Sequence, residues 1–466
     1  MVPARVHAGL GMTTSIAQGV AARIAELPDA PPREAAATIE ALLIDVGGLC
    51  VAARNTEYVR ATLAAADEAG PCTVLGHADA RSAATAMLVN GTAAHGEDFD
   101  DTYEGGPVHA GAVIVPALVA TAERHGLAGA DLARGIAVGC EVMCRLCAVA
   151  PQRVHQAGFH PTAVFGAVGA AAGVGAALRL DADQLGNALG IGGSMASGII
   201  EYLAEGAWTK RMHPGWAAQS GYRAARLAQE GFVGPRTVFE GEHGLFVAFA
   251  HERNGDFAAM LADFPSVWRF AGIAFKPYAC GTMAHPYIDC ARRLVAEGLD
   301  PRAIASVECR TAQGIVHRLW EPLAAKAEPP NGYAAKFSIP YGVAVGFLRG
   351  DAGLSEYDDV VVRDPAVRAL ARKVRYVVDP DDPYPRRFTG HVRVRLQDGT
   401  IREARQDHFR GGVEAPLTRE ALIAKFRANC AFGGLTPDAA DAWLARLTAL
   451  PNLRVIEAGA LQKGTK

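Results

Sequence analysis

From residue 13 to about 268, apolar positions recur at three- and four-residue spacing, the period of helices that bury one face. Alanine, leucine and glycine carry most of them, and the segments 32–46 and 220–229 show the pattern most plainly. Gly70-Pro71, Gly129-Ala130-Asp131 and Asp181-Ala182-Asp183 punctuate the run and predict helices of ordinary length, with Asp181 or Asp183 as an N-cap. Beyond Phe275 the period changes to two. Residues 304–311, 374–378 and 391–396 read as strands, the last turning through Gln397-Asp398-Gly399-Thr400 into a return strand at 401–404. Helical segments at 286–297, 340–349 and 365–373 lie between them, and helix resumes at 418–432 and 437–450. No fixed-period repeat is present, which argues against a solenoid. The expected fold is mainly α: a large all-helical domain from 1–270 plus 405–466, faced by a smaller α+β lid domain over 271–404. The cleft between two such domains is the natural substrate site.

Composition narrows the class. At 466 residues the chain exceeds one ordinary core, and half of it is apolar. A net charge of −3 gives no general attraction to nucleic acid or membrane. The longest uncharged apolar run, 161–178, is alanine-rich and broken by glycines, which suits a closely packed helix better than a membrane span. The N-terminal residues lack a signal-peptide pattern. Nine cysteines without framework spacing fit free thiols in a reducing, cytoplasmic compartment.

The chemistry concentrates in His95-Gly96-Glu97-Asp98-Phe99-Asp100-Asp101-Thr102 and the following His109. Such a titratable cluster between the apolar runs 83–94 and 112–118 belongs at helix ends lining a cavity. If the preceding helix continues, His95, Asp98 and Thr102 share one face, and Asp100 points elsewhere, as a cap or the partner of a cation. Three alternatives stand. His95, Asp98, Asp101 and His109 suit a divalent metal; His109 with a perturbed carboxylate suits metal-free acid–base chemistry; or the cluster is a solvated acidic helix end.

Elsewhere, Cys140, Cys144 and Cys147 match an iron–sulfur spacing, but within a helical run they form a buried stripe instead. The glycine-rich stretch 166–175 predicts a close helix–helix contact. The second, 190–194, predicts a loop whose amides, with Ser194 and Ser197, receive an anion at a helix start. Neither has the strand and acidic residue that a dinucleotide needs. Cationic groups at His160, at Lys210-Arg211, and from Lys276 to His285 each border an apolar segment. Together with His109 they would make a pocket suited to a di- or tricarboxylate.

These segments resemble the MmgE/PrpD family of 2-methylcitrate dehydratases and relatives. The likeness runs through 90–102 with His109, Gly158-Phe159-His160-Pro161-Thr162, 188–194, Thr209-Lys210-Arg211-Met212-His213, 217–221, Phe239-Glu240-Gly241, and Lys276-Pro277-Tyr278-Ala279-Cys280 with His285. It covers nearly the whole chain. The resemblance implies a helical domain with a lid, a homodimer, and catalysis with no metal or organic cofactor. It implies a lyase on a citrate-like acid, foremost a hydro-lyase on 2-methylcitrate of propionate metabolism. A cis-aconitate decarboxylase or an amino-dicarboxylate epimerase are the alternatives on the same scaffold, and a non-catalytic carboxylate binder is a remoter one. It places Asp98, Thr102, His109, His160, Lys210, Lys276 and His285 in the pocket. The linker 103–108 varies within the family. On this basis Lys210 and Lys276 stabilise a carbanion beside a carboxylate, and His160 and Ser194 help hold the substrate. His109 transfers the proton, Asp98 orients it, and His285 is the acid for a departing hydroxyl.

Overall fold

The computed structural model describes residues 14–29 and 33–462. It is mainly helical, with one sheet of any size. The side chains sort into two apolar cores. One draws on 17–275 and again on 417–461, so both ends of the chain build it. The other draws on 278–404 and also on Leu49, Ala52 and Phe99, which reach across from the first.

Small residues set the helix spacing in the first core. The helix Pro161–Ala177 is buried along its whole length, and the helix Gly129–Val149 crosses it glycine on glycine. A Cβ on Gly173 would stand 2.6 Å from the Gly135 carbonyl, so only glycine permits this approach. A second crossing matters for function. Where Ala83–Gly96 meets Thr209–Gln229, a Cβ on Gly91 would lie 2.4 Å from the Gly215 Cα. That contact brings the end of the first helix close to the start of the second. The helix Ala182–Ser194 begins with a capping box between Asp181 and Gln184, selecting the first of the two expected caps. The stretch 35–53 is long and apolar enough to cross a membrane, yet 78% of it is buried within the fold.

The second core is built on a sheet in the order Val374–Val378, Ile304–Thr311, Gly390–Leu396, Ile401–Gln406. The first pair is parallel and the other two antiparallel. Val392 and Val394 face inward with the exposed Arg393 between them, the alternation seen in the sequence. Helices His285–Ala296 and Ile339–Arg349 pack against one another in this core. Where the chain passes from one core to the other, Ile273–Ala274 pairs antiparallel with Thr102–Tyr103. Phe275 N–H donates to the Gly411 carbonyl at 3.0 Å. Both strands of this passage flank the acidic segment.

Candidate active site

The helix that carries His95 stops at Gly96, earlier than a shared face with Asp98 and Thr102 requires. A Cβ at Gly96 would stand 2.3 Å from the Tyr58 ring, and Asp98 adopts a left-handed φ of 54°. The expected helical stripe is therefore replaced by a tight loop. Its unusual backbone at Asp98 is held by charge: Lys276 Nζ donates at 2.9 Å to both the main-chain oxygen and Oδ1 of Asp98. Lys210, from the first turn of Thr209–Gln229, pairs with the same Oδ1 at 3.1 Å. Burial alone would push the Asp98 carboxyl up, but Lys210 and Lys276 outweigh it and hold it well below the usual carboxylate range. Burial also opposes the Lys210 charge, and Asp98 overrides that, raising the ammonium.

Asp100 does not point elsewhere, as the helical pattern suggested. It is fully buried, and its Oδ2 lies 2.6 Å from His95 Nδ1 and 3.4 Å from His109 Nδ1. The loop turns it inward, where it becomes the shared anchor of two imidazoles. Burial works against its charge, but these rings keep Asp100 ionised. His109 Nδ1 also lies 2.6 Å from the Asp101 carbonyl. A carbonyl only accepts, so Nδ1 carries the proton and Nε2 the lone pair. The His109 side chain is 13% exposed, and its Nε2 makes no hydrogen bond among the described residues. Burial moves its pKa down to about 3, against the pull of Asp100. The ring is neutral at neutral pH.

His160 lies just ahead of Pro161–Ala177, its ring centroid 5.6 Å from His95 and 6.5 Å from His109. Its Nδ1 is 3.1 Å from Nδ1 of His213, one turn beyond Lys210. His213 was not among the expected site residues, although its i, i+3 spacing from Lys210 places both on one helix face. Burial depresses both rings, His213 to about 4. Thr162 hydroxyl accepts the His109 N–H at 3.2 Å, a second contributor the sequence did not single out. Asp101 is a neutral acid: burial first, then the Asp100 charge, pushes it up to about 8. Its Oδ2 accepts the Gly111 N–H at 3.1 Å.

Asp98, His109, His160, Lys210 and Lys276 thus converge as expected. Three other residues lie apart. Thr102 is half-buried in the short strand, with no hydrogen bond to the cluster. Ser194 is exposed at the last residue of Ala182–Ser194. Because the glycines at 190–193 continue that helix, Ser194 sits at a carbonyl end and not at the amide end expected for an anion. His285 is buried, its Nε2 donating to the Cys280 carbonyl at 3.1 Å and its ring facing Tyr278 and Phe409. Burial takes it down to about 3, so it is a neutral ring outside the cluster. The three spaced cysteines lie buried on the helix Gly129–Val149, with thiols pushed up by burial, which does not suit a cluster of iron and sulfur.

The donor set bears on the metal alternative. His95, Asp100 and His109 place ligand-type atoms within 4.8 Å of one another. Yet Asp98 is committed to two lysines, and the His109 Nδ1 that lies toward Asp100 is engaged with the Asp101 carbonyl. The Lys276 ammonium stands 3.9 Å from Asp100 Oδ1. These residues fit a cation poorly and proton chemistry well.

A further tie joins the two cores here: Lys336 of the second pairs with Glu97 at 2.6 Å, and Tyr58 hydroxyl donates to Glu97 at 2.8 Å. Arg211, next to Lys210, is stacked between the rings of Tyr58 and Tyr333.

Residues 17–258 match the MmgE/PrpD N-terminal domain, and 278–445 match the MmgE/PrpD C-terminal domain. Cis-aconitate decarboxylase of Homo sapiens is 32% identical over 369 residues, covering 77% of this chain and 75% of that protein. Cis-aconitate decarboxylase of Aspergillus terreus is 28% identical over 398 residues, covering 80% and 79%. The 2-methylcitrate dehydratase of Cupriavidus necator is 30% identical, but over 150 residues and 30% of this chain. Similarity along most of the chain therefore runs to decarboxylases, where the sequence had put a dehydratase first. With both of its domains matched, the chain belongs to the MmgE/PrpD family.

Proposed function

We propose that this protein is a lyase that decarboxylates a cis-aconitate-like tricarboxylate by acid–base and electrostatic means, without a metal. One observation carries the choice: the ammonium groups of Lys210 and Lys276 converge on Asp98 beside a neutral His109 with a free Nε2. Loss of carbon dioxide from such an acid leaves an electron pair that must delocalise into a second carboxylate. Fixed positive charge in a dry site stabilises that pair far better than water does.

The substrate is β,γ-unsaturated with respect to its CH2-carboxylate. The C–CO2 bond breaks and its electrons form a new terminal C=CH2 bond. The original double bond shifts its pair onto the carbon next to the remaining terminal carboxylate, giving a dienolate. Lys210, partly exposed and holding a single carboxylate oxygen, has ammonium hydrogens to spare for that carboxylate. His109, protonated once the polyanion lies beside it, returns one proton to the dienolate carbon. Carbon dioxide leaves, and the product is a methylene dicarboxylate.

Dehydration would need an acid for the departing hydroxyl. His285, the group expected in that role, is neutral, sealed in the second core and bonded to Cys280. That disfavours the hydro-lyase. The α+β part over 271–404 serves in this scheme as a lid on the helical body, with Lys276 at its hinge.

Chelator-treated protein should be incubated with cis-aconitate, 2-methylcitrate and an amino-dicarboxylate, and the products read by mass spectrometry. The expected result is loss of carbon dioxide from cis-aconitate alone. Loss of water from 2-methylcitrate, with cis-aconitate returned intact, would reinstate the dehydratase.

A further inference from the structure

Two tyrosines flank Lys210, and their hydroxyls make no hydrogen bond among the described residues. Tyr202 opens the short helix Tyr202–Glu205. The residues before it are fastened to the segment that carries His160: His160 N–H donates to the Gly198 carbonyl at 2.9 Å, and Ile200 N–H to the Gly158 carbonyl at 3.0 Å. Held in this way, the Tyr202 ring stands edge-on to His160 and His213, its centroid 6.0 and 5.8 Å from theirs. The residue is only 6% exposed, yet its hydroxyl oxygen is not sealed by packing. After burial, the charge that acts most on this phenol is Lys210, followed by Tyr333 and Asp98, so the oxygen opens on the cleft. Burial pushes the phenol up to about 12, and it keeps its proton as a donor.

Tyr333 reaches the same place from the α+β part, on the turn of helix Gly332–Ala335. Lys336, three residues on, pairs with Glu97 and lays this turn over the active loop. The Tyr333 ring lies 4.7 Å from the guanidinium of Arg211, the neighbour of Lys210. Once burial and Asp98 are counted, Tyr333 and Tyr202 are the groups that act most on the Lys210 ammonium. Two neutral donors beside an ammonium make a site for a carboxylate.

The geometry points to Lys210, Tyr202 and Tyr333 as one carboxylate subsite, in which both phenols donate to a substrate carboxylate whose charge Lys210 balances. This subsite, which rests on the tricarboxylate reading, receives the carboxylate next to the carbon that gains electrons when carbon dioxide leaves. Donors placed there bind the dienolate more strongly than the ground state. With one phenol from each side of the cleft, the subsite is complete only when the α+β part is seated against the helical body.

Tyr202→Phe is the direct test, since it removes a hydroxyl with no protein partner and leaves the ring against the imidazoles. Calorimetry with tricarballylate, a saturated tricarboxylate that cannot form a dienolate, reads the subsite whether or not the chain is a decarboxylase. Affinity should fall roughly ten- to hundredfold, the worth of a hydrogen bond to a charged group, with the melting temperature unchanged. Tyr333→Phe should behave alike, and with cis-aconitate each variant should lower kcat on the order of 10². If the unaltered protein leaves cis-aconitate intact, the decarboxylase reading fails, and the tricarballylate affinities still decide the subsite. Undiminished affinity in either folded variant, or no tricarballylate binding to the unaltered protein, would overturn it. So would affinity lost together with a lowered melting temperature, the mark of a hydroxyl that only supports the fold.

Discussion

His95 Nδ1 stands 2.6 Å from Asp100 Oδ2, and both side chains are closed off from solvent. The bond fixes the carboxylate oxygen that also lies 3.4 Å from His109 Nδ1. An ionised group so placed favours the charged form of its imidazole neighbours. Asp100 raises both rings against the larger effect of burial. Asp100→Asn removes that support. If a protonated His109 delivers the proton, activity is present below the ring's pKa in the complex and lost as pH rises through it. The variant should move this limb to lower pH and cut turnover on the order of 10–10² through misplacement of the ring. A pH–rate profile unchanged from wild type would show that Asp100 only packs.

His109→Ala should reduce decarboxylation on the order of 10²–10⁴, the usual worth of a positioned proton-transfer group. Substrate affinity, measured by calorimetry, should stay within a few-fold, because the lysines bear the carboxylates. Undiminished turnover in this variant would remove His109 from the chemistry.

Much of this architecture is written locally. Asp181 with Gln184 three residues on, the alternation at 390–396 and the Gly399 turn each follow from neighbours in the chain. The active loop does not. Nothing near Gly96 announces that a distant Tyr58 ring will pack too closely there for any Cβ, nor that Lys276 and Lys210 will hold Asp98 at positive φ. With the helix continued in error, Asp100 faced away and Thr102 faced in, the reverse of what the loop does. Ser194 failed for a similar reason. Glycines at 190–193 look like a loop in isolation, but Gly192 abuts Ala167 and Ala171, and packing against Pro161–Ala177 keeps the segment helical. Residue types marked the site well, while tertiary contacts decided which of them face it.

The helix crossing at Gly91 and Gly215 makes a steric prediction. A Cβ on Gly215 would come within 2.2 Å of the Leu88 carbonyl, a main-chain atom that cannot rotate away. Gly215→Ala should destabilise the protein by about 1–3 kcal/mol, the usual cost of overpacking, as read by chemical denaturation. Separation of the helices also draws Lys210 from Asp98, so KM should rise. Wild-type stability and KM together would mean the crossing is more pliable than its contacts indicate.

Asp101 gives the stability of this fold a pH dependence with a definite sign. Burial, and then the Asp100 charge, raises its pKa to about 8 in the folded chain, against 3.8 in the absence of such surroundings. Between those values the folded protein keeps a proton that the unfolded chain has released. Stability therefore falls as pH climbs through that window. Asparagine reproduces the neutral acid, and its side-chain oxygen still accepts the Gly111 N–H. Asp101→Asn should thus melt near the wild-type temperature at pH 4 and progressively above it toward pH 8. A constant difference across that range would mean that Asp101 ionises normally within the fold.

Substrate binding should itself move protons. Within the cluster, Lys210 and Lys276 are matched by Asp98 and Asp100, and the imidazoles are neutral, with His109 at about 3 and His213 at about 4 because of burial. A trianion entering this balance adds uncompensated negative charge within reach of four rings. Each ring's pKa rises on binding, so the complex gathers protons that the free protein lacks. By linkage, affinity for cis-aconitate should weaken as pH rises from 6 to 8. Calorimetric titrations in buffers of different ionisation enthalpy should report net uptake of about one proton or more per ligand. The uptake should shrink in His109→Ala, which removes the most accessible ring. Binding with no proton transfer would mean that the ammonium groups alone neutralise the acid, and His109 would then lack the proton that the decarboxylation scheme requires of it.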